Sequence, residues 1–176
     1  MDVLSLESKK HILLPDYMLA DVYEITPELL QKYDVSGLVL DIDDTLVPHN
    51  VASPCRRLVE HLRALSDAGI KIAFVSNNKR GRVKRFNRKF RFFAVWNSGK
   101  PFGSGIRKSV EHMELEHGHI LLVGDQIFTD CLGAHLCGIR CAIVPPIEQR
   151  NTLFFRFKRF IEKPVIRYFK RFARSE

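Results

Sequence analysis

Five short apolar runs punctuate the middle of the chain: "GLVLDID" from Gly37, "IKIAFVSNN" from Ile70, "FFAVW" from Phe92, "HILLVGD" from His119 and "RCAIV" from Arg140. Each is too brief for a helix and is bounded by glycine, proline or polar residues, which predicts a buried strand. The stretches between them carry helical spacing. Leu58, Val59, Leu62 and Leu65 fall at i, i+1, i+4 and i+7, predicting a helix that begins near Pro54 and stops at Gly69. Residues 79–91, 101–117 and 129–137 are expected to be helical as well, the last closed by Gly138. Strands alternating with helices predict βαβ units: an α/β fold with a mainly parallel sheet, right-handed crossovers and helices on both faces.

That pattern occupies 37–149 and is read as a single catalytic core. Residues 1–36 mix polar and apolar positions around Pro15 and Pro27 and are expected to pack on the core as an arm with one or two short helices. Its clearest signal is "TPELL", with a cap at Thr26, proline at the first helical position and an acid in the first turn. Residues 150–176 form a separate helical tail. Leu153, Phe157, Phe160 and Ile161 share one helical face, and Val165, Phe169 and Phe172 make a second stripe after the break at Pro164.

Charge sharpens the picture of the tail. The chain of 176 residues carries a net +8, and from Arg150 onward nine basic residues face two acidic ones. A second block, Lys79 to Arg91, holds eight Lys or Arg and no acid, while the first fifty residues hold ten acids against three lysines. Such asymmetry predicts an anionic partner: lipid, nucleic acid or phosphorylated substrate. Cations flanking bulky aromatics describe a peripheral helix lying in an anionic membrane surface. A tail packed on the sheet with its basic face solvated is the plainer alternative. Nucleic acid is disfavoured, because the aromatics follow helical spacing. No apolar run is long enough to span a bilayer, and no secretion signal is visible at the N-terminus. Cys55, Cys131, Cys137 and Cys141 lack zinc-type or disulfide-framework spacing, so reduced thiols in the cytoplasm are expected.

The chemistry gathers at the ends of the predicted strands, where open α/β sheets bind ligands. Asp41-Ile42-Asp43-Asp44-Thr45 follows the first strand, Ser76-Asn77-Asn78 the second, and Gly124-Asp125 the fourth, with Asp130 five residues on. Lys100 precedes Pro101 at the head of a helix. Adjacent strands would bring several carboxylates, a hydroxyl, amides and one ammonium into one crevice. Crowded carboxylates near a low-dielectric core repel, and a hard divalent cation such as Mg2+ relieves this. Extended geometry sends Asp41 and Asp43 to the same side, so one can attack while the other handles protons. Taken singly, each residue has a plainer role: Asp43 to Thr45 as a turn or cap, Ser76, Asp125 and Asp130 as helix caps, Lys100 as a solvated lysine.

DxDxT, a serine after a strand, Lys-Pro and GDxxxxD, in that order, resemble the four motifs of phosphatases of the haloacid dehalogenase (HAD) superfamily. The resemblance implies a Rossmannoid HAD-like fold in which Asp41 attacks phosphorus and Asp43 is the general acid and base. It further implies that Ser76 and Lys100 hold the phosphoryl group, and that Asp41, the Asp43 carbonyl and Asp125 bind Mg2+. Asp130 would act behind them on Lys100 or a metal-bound water, and Thr45 and Asn77 are candidate substrate contacts. Only eight residues lie between Thr45 and Pro54, where the helix is expected to begin, and Ser76 to Lys100 fits one helix and one strand, so no cap domain is expected.

The arm "LLPDY…ITPELL", "DIDDTLV", "SNN", "VGDQIFTD" and "VPPIEQRNTLFFRFKRFIE" narrow the resemblance to the YqeG-type family, related to phosphatidylglycerophosphate phosphatases. It implies conversion of phosphatidylglycerophosphate to phosphatidylglycerol at the cytoplasmic face of the membrane. Asp44, an extra acid within the first motif, and Gly99 before the lysine depart from the family pattern. Two other readings compete with a lipid phosphatase: a soluble phosphatase for a sugar phosphate, nucleotide or phosphoprotein, and a non-catalytic metal- or RNA-binding module.

Overall fold

All five apolar runs form strands, and the residues that build them alternate between two cores. The computed structural model describes residues 4–5, 12–148 and 164–168. Within it the runs become β3 (Gly37–Leu40), β4 (Lys71–Val75), β5 (Phe93–Val95), β6 (Ile120–Gly124) and β7 (Arg140–Ile143). Two short strands come from the arm, β1 (Leu4–Ser5) and β2 (Tyr17–Met18). The sheet order is β1-β2-β7-β6-β3-β4-β5; neighbours from β2 to β5 are parallel, and only the edge strand β1 runs antiparallel.

A strand sends successive side chains to opposite faces. Leu38, Leu40, Phe74, Leu121 and Val123 therefore enter one core, and Val39, Ala73, Val75, Ile120 and Leu122 the other. Covered on both faces, such strands read as unbroken apolar runs rather than alternating ones. The first core is closed by α1 (Pro27–Lys32), α2 (Arg56–Asp67) and α3 (Arg80–Asn87), which contribute Leu30, Leu58, Leu62, Leu65, Val83 and Phe86. The second is closed by α4 (Gly105–Met113) and α5 (Leu132–Leu136), through Ile106, Val110, Met113 and Ala134. In the first core Phe74 meets Phe86 and Phe90 edge-on, with ring centroids 5.2 and 5.3 Å apart, a favourable arrangement for aromatic quadrupoles.

The arm is more than a cover. Thr26 caps α1 by accepting from Leu29 N at 3.2 Å, as the "TPELL" signal implies. Strand β2 joins the sheet itself, and Asp16 before it accepts from Cys141 N at 2.8 Å while pairing with His135 of α5 at 2.9 Å. Two-residue strands leave no periodicity to read, which is why the sequence showed helices there and no strand. Helix ends also moved inward: α4 spans Gly105–Met113 within the expected 101–117, and the segment expected as a helix over 129–137 begins with a π-helical turn, Ile127–Cys131.

Neither connection that could carry a cap does so. Residues 41–55 form a tight loop with one bridge, Asp43 to Val47, and only α3 and β5 lie between Ser76 and Lys100. Of the tail, residues 164–168 are described; they are helical, and Val165 and Ile166 pack against the second core. The stripe through Leu153, Phe157, Phe160 and Ile161, together with Phe169 and Phe172, lies outside the described residues. Among the described residues no helix is long and apolar enough to cross a membrane.

Phe74 is fully buried, whereas Val59 on α2 is only half-buried. Phe74→Ala should lower the unfolding free energy by about 3–5 kcal/mol through lost burial and the cavity left behind. Val59→Ala should cost only about 1 kcal/mol. Urea denaturation of both variants checks the ranking.

Candidate active site

The two strands that flank β3, β6 and β4, determine which side chains meet. Asp41 continues β3 by one residue, donating its N–H to Val123 O of β6 at 2.9 Å. The chain then turns: Ile42 O accepts from both Leu46 N and Val47 N. Asp44 sits at φ 66° in this turn, a left-handed conformation that aspartate tolerates better than most residues. Its carboxylate accepts from His49 N at 3.1 Å and its carbonyl from Ile147 N at 2.8 Å. The extra acid of the first motif therefore braces the loop.

The β4 exit and the β5 exit are laced together. Ser98 N donates to Ser76 O, and Asn97 N to Asn78 O. The Asn77 side chain accepts from Ser98 Oγ (2.7 Å) and Lys100 N (2.8 Å) and donates to Lys100 O (3.1 Å). Asn77, expected as a substrate contact, fixes the backbone that presents Lys100. Gly99 adopts φ 69°, which glycine reaches without the penalty a Cβ imposes, and this accounts for glycine before the lysine.

Lys100 enters the crevice with its side chain almost wholly buried. Its ammonium donates to Asp41 Oδ1 at 2.6 Å, Asp130 Oδ1 at 2.7 Å and Val75 O at 3.1 Å. Asp130 arrives from the π-helical turn after β6, and its second oxygen accepts from Gln126 N at 3.1 Å. Gly124 permits that return: a Cβ there would lie 2.4 Å from the Asp130 side chain. The Thr45 hydroxyl lies 3.1 Å from Asp41 Oδ2 and 3.4 Å from Asp125 Oδ1, one donor between two carboxylates. Gln126 Nε2 also donates to Asp125, at 3.3 Å.

Asp43, two residues beyond Asp41, belongs to a second set of contacts. Its Oδ2 accepts from Ser76 Oγ and Asn78 Nδ2, both at 3.3 Å. Its Oδ1 accepts from Arg82 through Nε at 3.2 Å and Nη2 at 2.9 Å. Arg82 was hidden in the sequence within a block of eight cations. The signal that singles it out is its place four residues before Phe86 and one before Val83, the buried face of α3, in the turn nearest the strand ends.

Asp41, Asp43, Thr45, Ser76, Lys100, Asp125 and Asp130 are thus brought into one buried cluster. One carboxylate oxygen each from Asp41, Asp125 and Asp130 lies within 4.8 Å of the others. Hard oxygens at that spacing suit a small divalent cation such as magnesium. Both oxygens of Asp130 accept, from Lys100 and Gln126 N, and so do both oxygens of Asp41, from Lys100 and Thr45, so a cation here would share these carboxylates with their donors while Asp130 also orients the lysine.

Comparison with known proteins bears on the family and the fold. The model of the haloacid dehalogenase-like hydrolase family matches residues 20–144. The chain is 33% identical over 162 residues to the "Probable phosphatase YqeG" of Bacillus subtilis (strain 168), covering 92% of this chain and 94% of that protein. Among solved structures, an uncharacterized protein from Listeria monocytogenes serotype 4b superposes with a TM-score of 0.50 at 18% identity, over 67% of this chain and 85% of its own. A hypothetical protein from Xanthomonas campestris gives 0.50 at 16% identity, over 72% and 73%. At such identities these two structures bear on the fold alone.

Burial pushes the Asp41 carboxyl up, to about 6; Lys100 opposes this and Asp130 adds to it. Burial also works against the charge of Lys100, but Asp130 and Asp41 outweigh it and hold the ammonium above its ordinary range. The two partners differ because one ammonium serves two carboxylates. A folded carboxyl that keeps its proton to higher pH than the unfolded one favours folding at low pH, and that contribution is lost as pH rises through about 6. In chelator at pH 7.5, Asp41→Asn should therefore be more stable than the unaltered protein by up to about 3 kcal/mol. The gain should fade as pH falls towards 4, and thermal melts of both proteins across that range check the sign.

Proposed function

This chain belongs to the haloacid dehalogenase-like hydrolases and is a phosphatase, and we propose that it hydrolyses phosphomonoesters through an aspartyl-phosphate on Asp41. The observation that carries this reading is the buried Asp41–Lys100–Asp130 contact, with the Asp43 carboxylate held separately two residues away. Lys100 restrains Asp41 in one orientation and balances its charge, while Thr45 fixes the other oxygen. Asp41 attacks phosphorus in line with the departing oxygen. Asp43 delivers the proton to that oxygen and later takes one from the water that opens the acyl phosphate. Ser76, on the β4 exit and 3.3 Å from Asp43, is positioned to turn its hydroxyl to a phosphoryl oxygen. Magnesium, held by Asp41, Asp125 and the Asp43 carbonyl, would offset charge on the phosphoryl group.

The substrate we propose is phosphatidylglycerophosphate, dephosphorylated to phosphatidylglycerol at the inner face of the cell membrane. Two features support it. With no cap domain, the crevice can receive a phosphate protruding from a body too large to enclose. The chain also carries excess cations in its last twenty-seven residues, suited to an anionic lipid surface. A soluble phosphomonoester is the second reading, favoured by the packing of Val165 and Ile166 on the second core, which takes at least that part of the tail away from a bilayer.

Asp41→Asn should lower kcat by more than about a thousandfold, and Asp43→Asn by about a hundredfold or more, on an aryl phosphate with magnesium. Chelator should abolish turnover in the unaltered enzyme. Release of phosphate from phosphatidylglycerophosphate in mixed micelles, absent in Asp41→Asn, tests the substrate; turnover of the aryl phosphate alone would discard it. Sedimentation with anionic vesicles, weakening steeply with salt and absent with zwitterionic ones, is the expected mark of membrane attachment.

A further inference from the structure

The groups expected to hold the phosphate are already engaged with one another. Lys100 directs its ammonium to Asp41, Asp130 and Val75 O, and an ammonium has only three donors. The Thr45 hydroxyl faces Asp41 and Asp125. Ser76 Oγ donates to Asp43 and accepts from Asn78 N. A phosphomonoester brings close to two negative charges at neutral pH. It must enter beside four buried carboxylates, Asp41, Asp43, Asp125 and Asp130.

Arg82 is placed differently. Its Nε and Nη2 grip Asp43 Oδ1, and its Nη1 is buried with no hydrogen-bond partner among the described residues. A planar guanidinium can hold a carboxylate along one edge and an oxyanion along the next, which an ammonium cannot do with directed pairs. The side chain is 13% exposed and stands on the first turn of α3, which Val83 and Phe86 fix to the sheet. It is therefore presented from a rigid element. The neighbouring cations serve elsewhere: Arg80 and Lys84 lie over the Trp96 ring at 5.2 and 6.0 Å. They add to a positive surface that draws in anionic substrate without entering the crevice.

We propose that Arg82 is a substrate ligand, taking a non-bridging phosphoryl oxygen through Nη1 while its other edge keeps Asp43 beside the scissile bond. The basic block from Lys79 to Arg91 then has two functions, one buried member binding the reacting group and the exposed ones steering it. This rests on the phosphatase reading, and it adds a cation that none of the four motifs contains.

The test uses the full chain with magnesium, an aryl phosphate as substrate and orthophosphate as product inhibitor. Arg82→Ala should raise both KM and the inhibition constant of orthophosphate by about tenfold or more. Arg82→Lys should recover part of each loss, since it keeps the charge without the fork. If KM and phosphate inhibition stay within about twofold while kcat falls, Arg82 only positions Asp43 and the proposal is overturned; unchanged kinetics overturn it equally. Should Arg82→Ala fail to fold, calorimetric binding of orthophosphate to Arg82→Lys and Arg82→Gln decides the matter by the same criterion. Binding also separates the two failures. A protein that turns over no phosphomonoester, yet loses orthophosphate affinity on altering Arg82, sinks the phosphatase reading and leaves the ligand in place.

Discussion

Lys100 carries its ammonium into a space nearly closed to water and meets Asp41 at 2.6 Å and Asp130 at 2.7 Å. A lone charge in such a place is strongly disfavoured, and two carboxylates without the lysine would repel. The ammonium is held there by the two carboxylates, and it offsets their repulsion and burial only in part, since Asp41 still keeps its proton to higher pH than an exposed carboxyl. The surrounding structure serves that constraint. Asn77 binds the Lys100 backbone on both sides of its α-carbon, Gly124 leaves room for Asp130, and the π-helical turn delivers it.

Sheet order does the long-range part of the work. With β6 and β4 as the two neighbours of β3, the carboxyl ends that bear Asp125, Asp41 and Ser76 stand side by side. The strands are buried on both faces, so their register is held by two cores at once, and a slip would misplace apolar side chains on both. Catalytic geometry is thereby fixed by packing some distance from it. The loops at the strand ends then need only short reach, which is why hydrogen bonds between backbone and neighbouring side chains suffice to lock them.

No domain is inserted over the crevice, because its two permissive connections are short. A site without a cap cannot close a second domain over its substrate, which leaves recognition to the rim and to the few groups at the centre. The division of α3 fits this need: Arg82 turned inward onto Asp43, Arg80 and Lys84 outward beside Trp96. On the lipid reading proposed above, selectivity would come from the rim and reactivity from the buried cluster.

The sequence by itself determined the strands β3 to β7, the parallel α/β class, the missing cap and the members of the acidic cluster, because these follow from local periodicity and from motifs fixed at strand ends. It also marked Thr26 as a cap, a matter of three residues. Tertiary structure alone decided the rest. Strand β2 was invisible because its stability comes from pairing with β7, not from its own two residues. Asn77 became a brace for Lys100, and Asp44 a brace for its own loop, because partners more than twenty residues away, or a turn conformation, claimed their side chains. Arg82 could not be told from seven other cations by composition. Its distinction is that one face of a helix, set by Val83 and Phe86, turns this guanidinium towards a carboxylate thirty-nine residues earlier in the chain.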